Sequence, residues 1–511
     1  MELDSDLRNK KGSVVTLFRG GAPLSMAGGV REFAASTPHT PAVIDGDRSL
    51  TYRALDERAS RLAQALLGRG LRPGDRVAVQ LGNRLEFPEV IAAAAKAGLV
   101  LVPIGTRLTE AETSYIMEHS GARAHISDAE PPVPAEVVLR IGATGAASYE
   151  QALESAPAAD PMVAIDENDP ACLYYTSGTT GKPKGVLSSH RARTLMCYLS
   201  AMEWGLGARR VSLAVAPMYH GAGMVFDYAP VVAGGTVVML PKWDPEHMLA
   251  LAEKHRAQSA FLVPTHAQTL RSSGALGRYD ASSLDTLYFN AAALPAVLKD
   301  WVMEAFPHAG VHELYGSTEA GIVTNCRPDQ ADRTGSVGLP WYMTEIRVVD
   351  GAGDPVGPGE RGELFSRSPF LMNGYLRDDA ATDGCTTPDG FLTSGDIVVR
   401  DEDGFVYIVD RKKDMIISGG INIAPREVED VIATFPGIAD CAVVGLPDEQ
   451  WGERVAAYVV ALPGASVDAE ALEAHCRDRL SGPKVPRSVE VLHALPRNAA
   501  GKILKRELRD R

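Results

Sequence analysis

The sequence predicts an α/β protein with a large domain of parallel sheets covered by helices, a β subdomain, and a small α+β C-terminal domain. Three observations lead to this prediction. The chain has 511 residues, which is too long for one ordinary hydrophobic core. Apolar runs of strand length alternate with helix-like segments, as in parallel sheets. From about Gly335, short strands are separated by Gly and Asp turns.

The large domain is built from strand–helix–strand units. Two of them are the strand, helix and strand at 76–80, 86–97 and 99–103, and those at 235–240, 245–256 and 259–263. A helical connection of this length joins parallel strands and covers one face of their sheet. The β subdomain then has antiparallel strands at 346–350, 362–365 and 405–409.

The small domain follows a run of charges. Its predicted elements are a helix at 425–435, strands at 440–445 and 455–461, and a helix at 468–480. The charged run at 411–414 lies between two apolar strands and suits a linker. We therefore divide the chain into a large domain at 1–410, a hinge at 411–414 and a small domain at 415–511.

Charge and cysteine usage exclude several classes of function. The 51 basic and 65 acidic residues give a net charge of −14, which disfavours non-specific binding of nucleic acid. The six cysteines are scattered without a Cys-x-x-Cys pair, so neither a disulfide framework nor a zinc site is expected. The most apolar stretch, 90–104, is too short and interrupted to span a bilayer, and the N-terminus lacks an apolar signal core. We expect a cytoplasmic protein without integral membrane contact.

One polar loop has the composition of a phosphate-binding site. Residues 176–186 read Thr-Ser-Gly-Thr-Thr-Gly-Lys-Pro-Lys-Gly-Val. Its glycines let the backbone approach a ligand, and its hydroxyls and lysines supply donors for phosphate oxygens. It is not a P-loop, because Pro183 stands five residues after Gly178 and no helix follows directly. The alternative interpretation is a polar hairpin loop.

This loop resembles the signature loop of the adenylate-forming superfamily, which includes acyl-CoA synthetases, peptide-synthetase adenylation domains and firefly-type luciferases. Four later segments resemble that family's other motifs, in the same order: Tyr315-Gly-Ser-Thr-Glu319, Thr393-Ser-Gly-Asp396, Asp410-Arg411-Lys-Lys-Asp-Met-Ile-Ile-Ser-Gly-Gly-Ile-Asn422 and Pro496-Arg-Asn-Ala-Ala-Gly-Lys502. The resemblance covers roughly 28–508 and is closest to acyl-CoA synthetases. It implies that ATP converts a carboxylic acid to acyl-AMP with release of pyrophosphate, and that coenzyme A then accepts the acyl group.

In this reaction the acid attacks the α-phosphorus of ATP, so cations and donors are needed where charge develops. The resemblance places Lys502 between the acid and the α-phosphate, as a catalytic residue. The alternative is a surface lysine of a basic C-terminal helix, which is what we expect Lys505 and Arg506 to be. The turn Asn-Ala-Ala-Gly before Lys502 indicates that this lysine lies on a loop.

The resemblance also assigns the metal and phosphate contacts. It makes Glu319 the Mg²⁺ ligand, with Thr180 beside it, and lets the Thr318 hydroxyl reach the phosphate. A hard divalent ion keeps several waters, so one or two carboxylates suffice to hold it. Other ATP contacts that it implies are Thr176, Ser177, Gly178, Thr179, Lys184, Ala291, Ala292, Gly316, Ser317 and Ile408.

The nucleoside of ATP has its own predicted contacts. The resemblance places Tyr315 along the adenine plane, although ordinary core packing would also explain this residue. Asp396 would accept both ribose hydroxyls, a task that suits a fixed carboxylate. Arg411 would contact the same sugar. The Ser-Gly pair before Asp396 predicts a tight turn that projects the carboxylate.

The second half-reaction depends on the small domain. In the family this domain is mobile, and by position the hinge residue is Lys413. Gly419 and Gly420 resemble the strand edge beside the pantetheine tunnel, where glycine lets a thin chain pass. Trp451 matches a position that packs on coenzyme A. Two residues that either meet coenzyme phosphates or form a solvated basic surface are Lys484 and Arg487.

The acceptor has alternatives. The phosphopantetheine arm of a carrier protein is one, although the sequence contains no carrier domain. A luciferase-like oxidation also stays open. Amino-acid adenylation domains carry an aspartate where this chain has Gly221, so α-amino acids are disfavoured. Monomer and homodimer are both compatible with the sequence.

The acid site is predicted along Tyr219-His-Gly-Ala-Gly-Met-Val-Phe-Asp227, with contacts from Tyr219, His220, Gly221, Phe226 and Asp227. The resemblance gives His220 a catalytic role, in which its ring covers the acid before thiol entry; a core histidine is the alternative. Asp227 is either a polar contact of the acid or a helix cap. Gly316 and Gly321, being small, would leave room for a ring or short chain.

One departure from the family bears on the acid. Many relatives read Gly-Gly-Ala-Pro-Leu where this chain reads Asn290-Ala-Ala-Ala-Leu294. Asn290 would shorten the site and add an amide donor and acceptor, and a buried amide needs a partner. We therefore expect an aromatic or short functionalised acid. The departure also fits relatives that adenylate nitrite to diazotise an aryl amine. A non-catalytic relative would have lost Lys502 or Glu319, and both are present.

Overall fold

The computed structural model describes residues 23–176, 182–419, 421–462, 464–497 and 503–511, and only the backbone of Asn422. Within these ranges, no helix has the length and apolar character needed to cross a membrane. All six cysteines are described, and all are free thiols.

The large domain alternates helices and strands. Its helices are α1 (Gly28–Ser36), α2 (Tyr52–Gly68), α3 (Glu86–Ala97), α4 (Glu110–Ser120), α5 (Tyr149–Glu154), α6 (His190–Trp204), α7 (Gly221–Val232), α8 (Pro245–His255), α9 (Pro264–Ser273), α10 (Ala296–Ala305) and α11 (Asp379–Asp383). Its strands are β1 (Pro41–Asp45), β2 (Arg48–Thr51), β3 (Arg76–Gln80), β4 (Val100–Pro103), β5 (Ala124–Ser127), β6 (Val137–Arg140), β7 (Pro170–Thr176), β8 (Lys184–Ser189), β9 (Val211–Ala214), β10 (Thr236–Met239), β11 (Ser259–Leu262), β12 (Thr286–Phe289), β13 (Gly310–Ser317), β14 (Gly321–Cys326), β15 (Leu339–Pro340), β16 (Glu345–Val349), β17 (Arg361–Arg367), β18 (Gly374–Tyr375), β19 (Leu392–Arg400) and β20 (Val406–Arg411).

The small domain contains strands and helices in a compact order. They are β21 (Ile416–Ser418), β22 (Ile421–Ile423), α12 (Pro425–Ala433), β23 (Ile438–Asp448), β24 (Gly452–Ala461), α13 (Ala469–Arg477), β25 (Ser488–Leu492) and α14 (Lys505–Arg509).

Two mixed sheets form the frame of the large domain. In the described part of the chain, seven strands run in the order β18-β8-β7-β4-β3-β5-β6, and nine run in the order β15-β14-β13-β12-β11-β9-β10-β1-β2. Their inner strands are parallel: β3 pairs with β4, and β9 lies between β10 and β11. The antiparallel pairs lie towards the edges, as in β7–β8 and β13–β14. The predicted α/β class with parallel sheets and covering helices is confirmed.

The segment 90–104 forms the end of a buried helix and a buried strand, as the sequence predicts. Every residue of α3 is buried, including Lys96. The Nζ atom of Lys96 lies 2.6 Å from a carboxylate oxygen of both Asp56 and Asp160. A buried ammonium is tolerated because these two carboxylates compensate its charge.

The β subdomain is an antiparallel sheet whose described strands run in the order β16-β17-β19-β20. The predicted tight turn at Thr393–Asp396 is wrong, because these residues lie inside β19. Gly395 has φ +74°, and the register with the partner strand shifts between Glu363 and Phe365. A left-handed glycine thus produces a bulge within the strand, and no chain reversal occurs.

The chain passes from one sheet to another at the predicted hinge. β20 ends at Arg411 in the β subdomain, and β21 begins at Ile416 in the sheet of the small domain. Within the described residues that sheet runs β22-β21-β24-β23, and β25 is added parallel to β24. The division at 410–415 stays a prediction, and this change of sheet supports it.

Candidate active site

A buried carboxylate forms the centre of the predicted ribose site. The hydroxyl of Tyr315, on β13, donates a hydrogen bond of 2.6 Å to Oδ2 of Asp396, on β19. Nε of Arg411 lies 3.2 Å from Oδ1 of the same carboxylate, because Arg411 is paired with Asp396 across β19 and β20. Burial, and then the negative charge of Asp396, raises the pKa of Tyr315 well above its usual value. The sequence motifs therefore meet in one cluster.

The β13–β14 hairpin places Thr318 and Glu319 at its tip. Its two strands approach so closely that a Cβ atom on Gly316 would lie 2.0 Å from the carbonyl oxygen of Gly321. Gly321 has φ +71°, and a Cβ atom there would lie 2.7 Å from Cβ of Phe370. Protein atoms thus occupy the space beside both glycines. This corrects the expectation that Gly316 and Gly321 leave room for a ring: they allow close packing of the hairpin.

Tyr375 joins the predicted metal ligand to the phosphate loop. Its hydroxyl donates a hydrogen bond of 3.1 Å to Oε1 of Glu319. Nζ of Lys184 lies 4.9 Å from the centre of the Tyr375 ring and 3.4 Å from Oδ2 of Asp378. Tyr375 belongs to none of the sequence motifs, because only the fold brings it beside a residue 56 positions away.

The phosphate loop connects two antiparallel strands. Thr176 ends β7, and Lys184 begins β8 opposite it. A strand follows the loop, as expected for a loop that is not a P-loop, and the strand pairing matches the alternative of a polar hairpin. The predicted contacts that lie outside the described residues are Ser177, Gly178, Thr179 and Thr180.

Glu319 suits the role of a single protein ligand to a magnesium ion whose other ligands are substrate phosphates and waters. Within the described residues, no group of three His, Cys, Asp or Glu side chains is placed to hold a metal by itself. Mg²⁺ is commonly bound by one or two carboxylates together with substrate phosphates and waters. A single carboxylate on a hairpin tip beside the phosphate loop fits this pattern.

Two more predicted ATP contacts lie near the hairpin. Oγ of Ser394 donates a hydrogen bond of 2.9 Å to Oγ of Ser317, which also accepts the N–H of Ala320 at 3.0 Å. Ile408 is half-buried on β20, in the same apolar cluster as Tyr315. These contacts connect the hairpin to the strand that carries Asp396.

The predicted acid site includes the start of α7. His220 precedes the helix with extended backbone angles, and its ring lies edge-on to Tyr219 with centroids 4.6 Å apart. A Cβ atom on Gly221 would lie 3.6 Å from Cγ2 of Thr318, so the start of α7 faces the hairpin tip. Phe226 is buried against the rings of Trp204, Phe261 and Tyr288.

Asp227 occupies the interior of α7. It is the seventh residue of that helix, so the alternative of a helix cap is wrong, and the role of an acid contact stays a prediction. The side chain is buried, and neither carboxylate oxygen has a hydrogen-bond partner among the described residues. Burial raises the pKa of Asp227 well above its usual value.

Asn290 has a local partner. It follows β12, and its Oδ1 accepts the N–H of Ala291 at 2.5 Å. Ala291 has φ +73°, a left-handed conformation that is costly for a residue other than glycine. The amide oxygen therefore supports an unusual turn, and the acceptor that we predicted for the acid is already engaged. Ala291 and Ala292 are both exposed.

In the small domain, three predicted coenzyme residues lie together. The N–H of Gly419 donates a hydrogen bond of 2.7 Å to the carbonyl of Trp451, and a Cβ atom on Gly419 would lie 2.8 Å from the Trp451 ring. The guanidinium of Arg487 lies 4.9 Å from the centre of that ring. Lys484 instead forms an ion pair with Glu427.

The hinge and the lysine motif are only partly described. Lys413 is an exposed residue, although partial burial of its ammonium group lowers its pKa. The predicted residues Gly420 and Lys502 lie outside the described residues. Lys505 is not the surface lysine that we expected: Nζ lies 2.8 Å from a carboxylate oxygen of Glu429, with the side chain 19% exposed. Arg506, at 74% exposed, is a surface residue.

Two family models match this arrangement of domains. The model described as AMP-binding enzyme matches residues 30–376, and the model described as AMP-binding enzyme C-terminal domain matches residues 427–502. The first match alone covers more than half of the chain. The chain belongs to the AMP-binding enzyme family.

Curated relatives resemble this AMP-binding enzyme over nearly its whole length. It is 38% identical to a feruloyl-CoA synthase of an Amycolatopsis species, over 94% of this chain and 97% of the relative. It is 34% identical to a 2-succinylbenzoate–CoA ligase of Bacillus licheniformis, over 94% of this chain and 98% of the relative.

Solved structures resemble this AMP-binding enzyme closely. ATP-bound MatB from Rhodopseudomonas palustris is 30% identical and gives a TM-score of 0.88, and apo MatB from the same organism gives 0.78; each comparison covers 95% of this chain and 98% of MatB. The anthranilate CoA ligase AuaEII, in complex with anthranoyl-AMP, is 26% identical with a TM-score of 0.89, over 96% of this chain and 97% of AuaEII.

These findings confirm the family resemblance, the fold class and the enzyme class predicted from the sequence. This AMP-binding enzyme is an AMP-forming acid ligase. The roles of individual residues stay predictions, and the structure shows which of them lie together.

Proposed function

We propose that this enzyme activates an aromatic carboxylic acid. The reaction is that of an acid–CoA ligase: ATP and the acid give acyl-AMP and pyrophosphate, and coenzyme A then takes the acyl group and releases AMP. The observation that carries the proposal is the position of the β13–β14 hairpin. Its tip faces the start of α7 through Thr318 and Gly221, and its base carries Tyr315 against Asp396.

The hairpin therefore stands between a nucleotide side and an acid side. On the nucleotide side, Asp396 is already fixed by Tyr315 and Arg411, so it can accept ribose hydroxyls without further ordering. On the acid side, His220 lies at the start of α7. An acid held there would have its carboxylate directed towards the hairpin tip, where Thr318 and Glu319 meet the phosphates.

Magnesium supplies positive charge to the phosphates when it is bound. Glu319 is the residue that would hold it, with Thr180 beside it, and Tyr375 orients the Glu319 carboxylate through its hydroxyl. Lys502 would then act on the developing charge between the acid and the α-phosphate. Removing such a preorganised donor typically costs about 3–4 kcal/mol of transition-state stabilisation.

Transfer to coenzyme A would use a second position of the small domain. The small domain offers one group for each part of coenzyme A. The ring of Trp451 suits the adenine, the guanidinium of Arg487 suits a phosphate, and the backbone at Gly419 leaves space for the pantetheine chain. The comparisons with MatB support a movement of the small domain. Over the same coverage, this chain gives a TM-score of 0.88 with ATP-bound MatB and 0.78 with apo MatB. This chain is closer to the ATP-bound arrangement.

The aromatic class of acid is supported by relatives, whose names include feruloyl-CoA synthase and anthranilate CoA ligase. Phe226, a predicted contact of the acid, is buried in the core against Trp204 and Tyr288. The free thiols of all six cysteines suit the cytoplasm, where we place the enzyme.

The test is a panel of benzoates, cinnamates, short acids and fatty acids, scored for pyrophosphate release and for AMP-linked products with and without coenzyme A. We expect aromatic acids to give the highest kcat/KM, with thioester formed only when coenzyme A is present. Preferential use of fatty acids would contradict the aromatic class. Pyrophosphate release driven by nitrite with an aryl amine, and no thioester from any acid, would replace coenzyme A transfer by diazotisation.

A further inference from the structure

Helix α4, which belongs to none of the sequence motifs, contacts both arms of the phosphate loop. The hydroxyl of Tyr115, on α4, donates a hydrogen bond of 3.1 Å to the carbonyl of Pro183, on the arm that leads into β8. On the other arm, the hydroxyl of Tyr175 and Nδ1 of His119, also on α4, share a hydrogen bond of 2.8 Å. Tyr175 directly precedes Thr176, where β7 ends. One helix therefore holds the loop where it leaves one strand and where it enters the next.

Ring contacts add to these hydrogen bonds. Nζ of Lys182 lies 5.6 Å from the centre of the Tyr115 ring, within the range of a cation–π interaction. The His119 ring stacks on the Tyr115 ring with centroids 5.4 Å apart, and the Tyr175 ring lies edge-on to it at 6.4 Å. Burial, and then the positive charges of Arg377 and Lys182, lower the pKa of His119, so its ring is uncharged at neutral pH and does not repel the lysine. Tyr115 thus lies at the centre of an aromatic cluster that includes a lysine of the loop.

Helix α4 can position another segment because it is itself fixed. Its N-terminus has a capping box formed by Thr109 and Glu112, and Gly121 ends it with φ +65°. Ile116 and Met117 are buried in an apolar cluster with residues of β3, β4 and β7. The aromatic side chains of α4 therefore have a defined position relative to the sheet that carries the phosphate loop.

The same helix also contacts the segment that orients the predicted metal ligand. Nη1 of Arg377 donates a hydrogen bond of 3.2 Å to the carbonyl of His119. Arg377 lies two residues after Tyr375, whose hydroxyl meets Glu319. Helix α4 thus connects the phosphate loop with the residue that would hold magnesium.

We propose that Tyr115 is a positioning residue of the adenylation reaction. It holds the arm of the phosphate loop that carries Lys182 and Lys184, so that these two lysines are presented to the phosphates of ATP that leave as pyrophosphate. Tyr115 acts through the loop, because its hydroxyl donates its proton to the Pro183 carbonyl. An arm that is fixed before ATP arrives needs less ordering when ATP binds. This inference rests on the proposed function, in which the loop binds these phosphates.

The test compares the dissociation constants of ATP and AMP, each with magnesium and without any acid, measured by calorimetry on the full-length enzyme. AMP lacks the two phosphates that leave as pyrophosphate, so the ratio of the two constants isolates their contribution. We expect Tyr115→Phe to weaken ATP binding by about 2- to 10-fold, the size of one hydrogen bond, and to leave AMP binding unchanged. Tyr115→Leu also removes the ring beside Lys182 and should weaken ATP binding further.

The matched control is Tyr52→Phe. It removes another tyrosine hydroxyl that donates to a backbone carbonyl, that of Gly235 at 2.8 Å, from helix α2. We expect this variant to lose stability in urea unfolding and to keep the parent ratio of ATP to AMP binding.

The outcomes separate this inference from the proposed function. If Tyr115→Phe weakens ATP and AMP equally, the effect is structural and the inference is overturned. It is also overturned if neither Tyr115 variant changes ATP binding, or if Tyr52→Phe changes the ratio as much. If the parent enzyme binds ATP no more tightly than AMP, the loop does not hold phosphates, and the proposed adenylation site fails together with this inference. Because no acid is present, the result does not depend on the aromatic class of substrate.

Discussion

The hydroxyl of Tyr315 lies 2.6 Å from Oδ2 of Asp396, so a residue on the nine-stranded sheet orients a carboxylate on the β subdomain. The same carboxylate meets Arg411 at the end of β20, directly before the predicted hinge. Residues from two sheets therefore fix the predicted ribose site, and the contact can be tested without disturbing the other motifs.

Tyr315→Phe removes this donor and keeps the ring. We expect the free energy of unfolding to fall by about 1.5–3 kcal/mol, since the hydrogen bond is made to a charged group. The KM for ATP should rise, because Asp396 loses one of its two fixed contacts. Urea unfolding and pyrophosphate exchange measure the two effects. Tyr407→Phe is the matched control, because Tyr407 donates at 3.2 Å to Asp401, outside the site. Equal behaviour of both variants would contradict the assignment.

Lys502→Ala tests the catalytic lysine. We expect adenylate formation to fall by about 10²–10³-fold while ATP binding is largely kept, because a preorganised donor acts mainly in the transition state. A single-turnover assay for acyl-AMP and an equilibrium measurement of ATP binding give the two quantities. Arg506→Ala, on the exposed face of α14, is the control and should match the parent enzyme. Acyl-AMP formed at the parent rate by Lys502→Ala would show that another residue supplies the charge.

Lys413→Pro tests the hinge. Proline fixes φ and removes the backbone donor, so rotation at this position is restricted. We expect pyrophosphate release to survive better than thioester formation, because in the predicted cycle the small domain changes position before the second half-reaction. Lys413→Ala keeps the rotation and controls for loss of the side chain. Equal loss of both half-reactions, or of neither, would argue against movement about this residue.

Trp451→Ala tests the coenzyme site. The ring packs on Gly419 and under Arg487, in the small domain. Its removal should raise the KM for coenzyme A by about tenfold to a hundredfold, the size of a lost aromatic contact of about 1–3 kcal/mol. Pyrophosphate release in the absence of coenzyme A should be unchanged. A parallel loss of both activities would place Trp451 in the fold of the small domain and not in the coenzyme site.

Asp160→Asn tests the network around the buried Lys96. Burial alone would raise the pKa of Asp160, but hydrogen bonds from Arg31 and Lys96 outweigh it and hold the pKa below its usual value. A carboxyl group whose pKa is lowered by folding stabilises the fold at pH values above its ordinary pKa of about 3.9. This contribution is lost progressively as the pH falls from that value towards the lowered pKa of the folded state. We expect Asp160→Asn to destabilise the enzyme by about 1–3 kcal/mol at pH 7. In urea unfolding, the gap between variant and parent should narrow below about pH 4. A gap that stays constant with pH would contradict this origin.

The sequence determined much of the local structure, because local structure depends on nearby residues. The alternation of apolar strands with helix-like segments predicted α3 with its observed ends, and the strand at 76–80 was predicted equally well. The order of the motifs determined the family. It also indicated that Tyr315, Asp396 and Arg411 share a nucleotide site, and these three residues do lie together.

Only the tertiary structure decided which distant residues are in contact, and whether a glycine leaves space for substrate or allows close packing of the backbone. Nothing in the sequence around Tyr375 indicates its contact with Glu319, since the two are joined only by the packing of β18 near the hairpin. The pattern around Gly395 was read as a turn, but the partner strand β17 keeps it in a sheet. Gly316 and Gly321 were expected to leave room for the acid. The space beside Gly316 is occupied by the opposite strand of the hairpin, and the space beside Gly321 is occupied by Phe370. Asp227 was predicted as either a polar contact of the acid or a helix cap, and the second alternative is wrong because α7 begins at Gly221 and encloses it. Each of these predictions differs from the structure for the same physical reason. The surroundings of a side chain depend on helices and strands that are distant in the sequence and pack against it only in the folded protein.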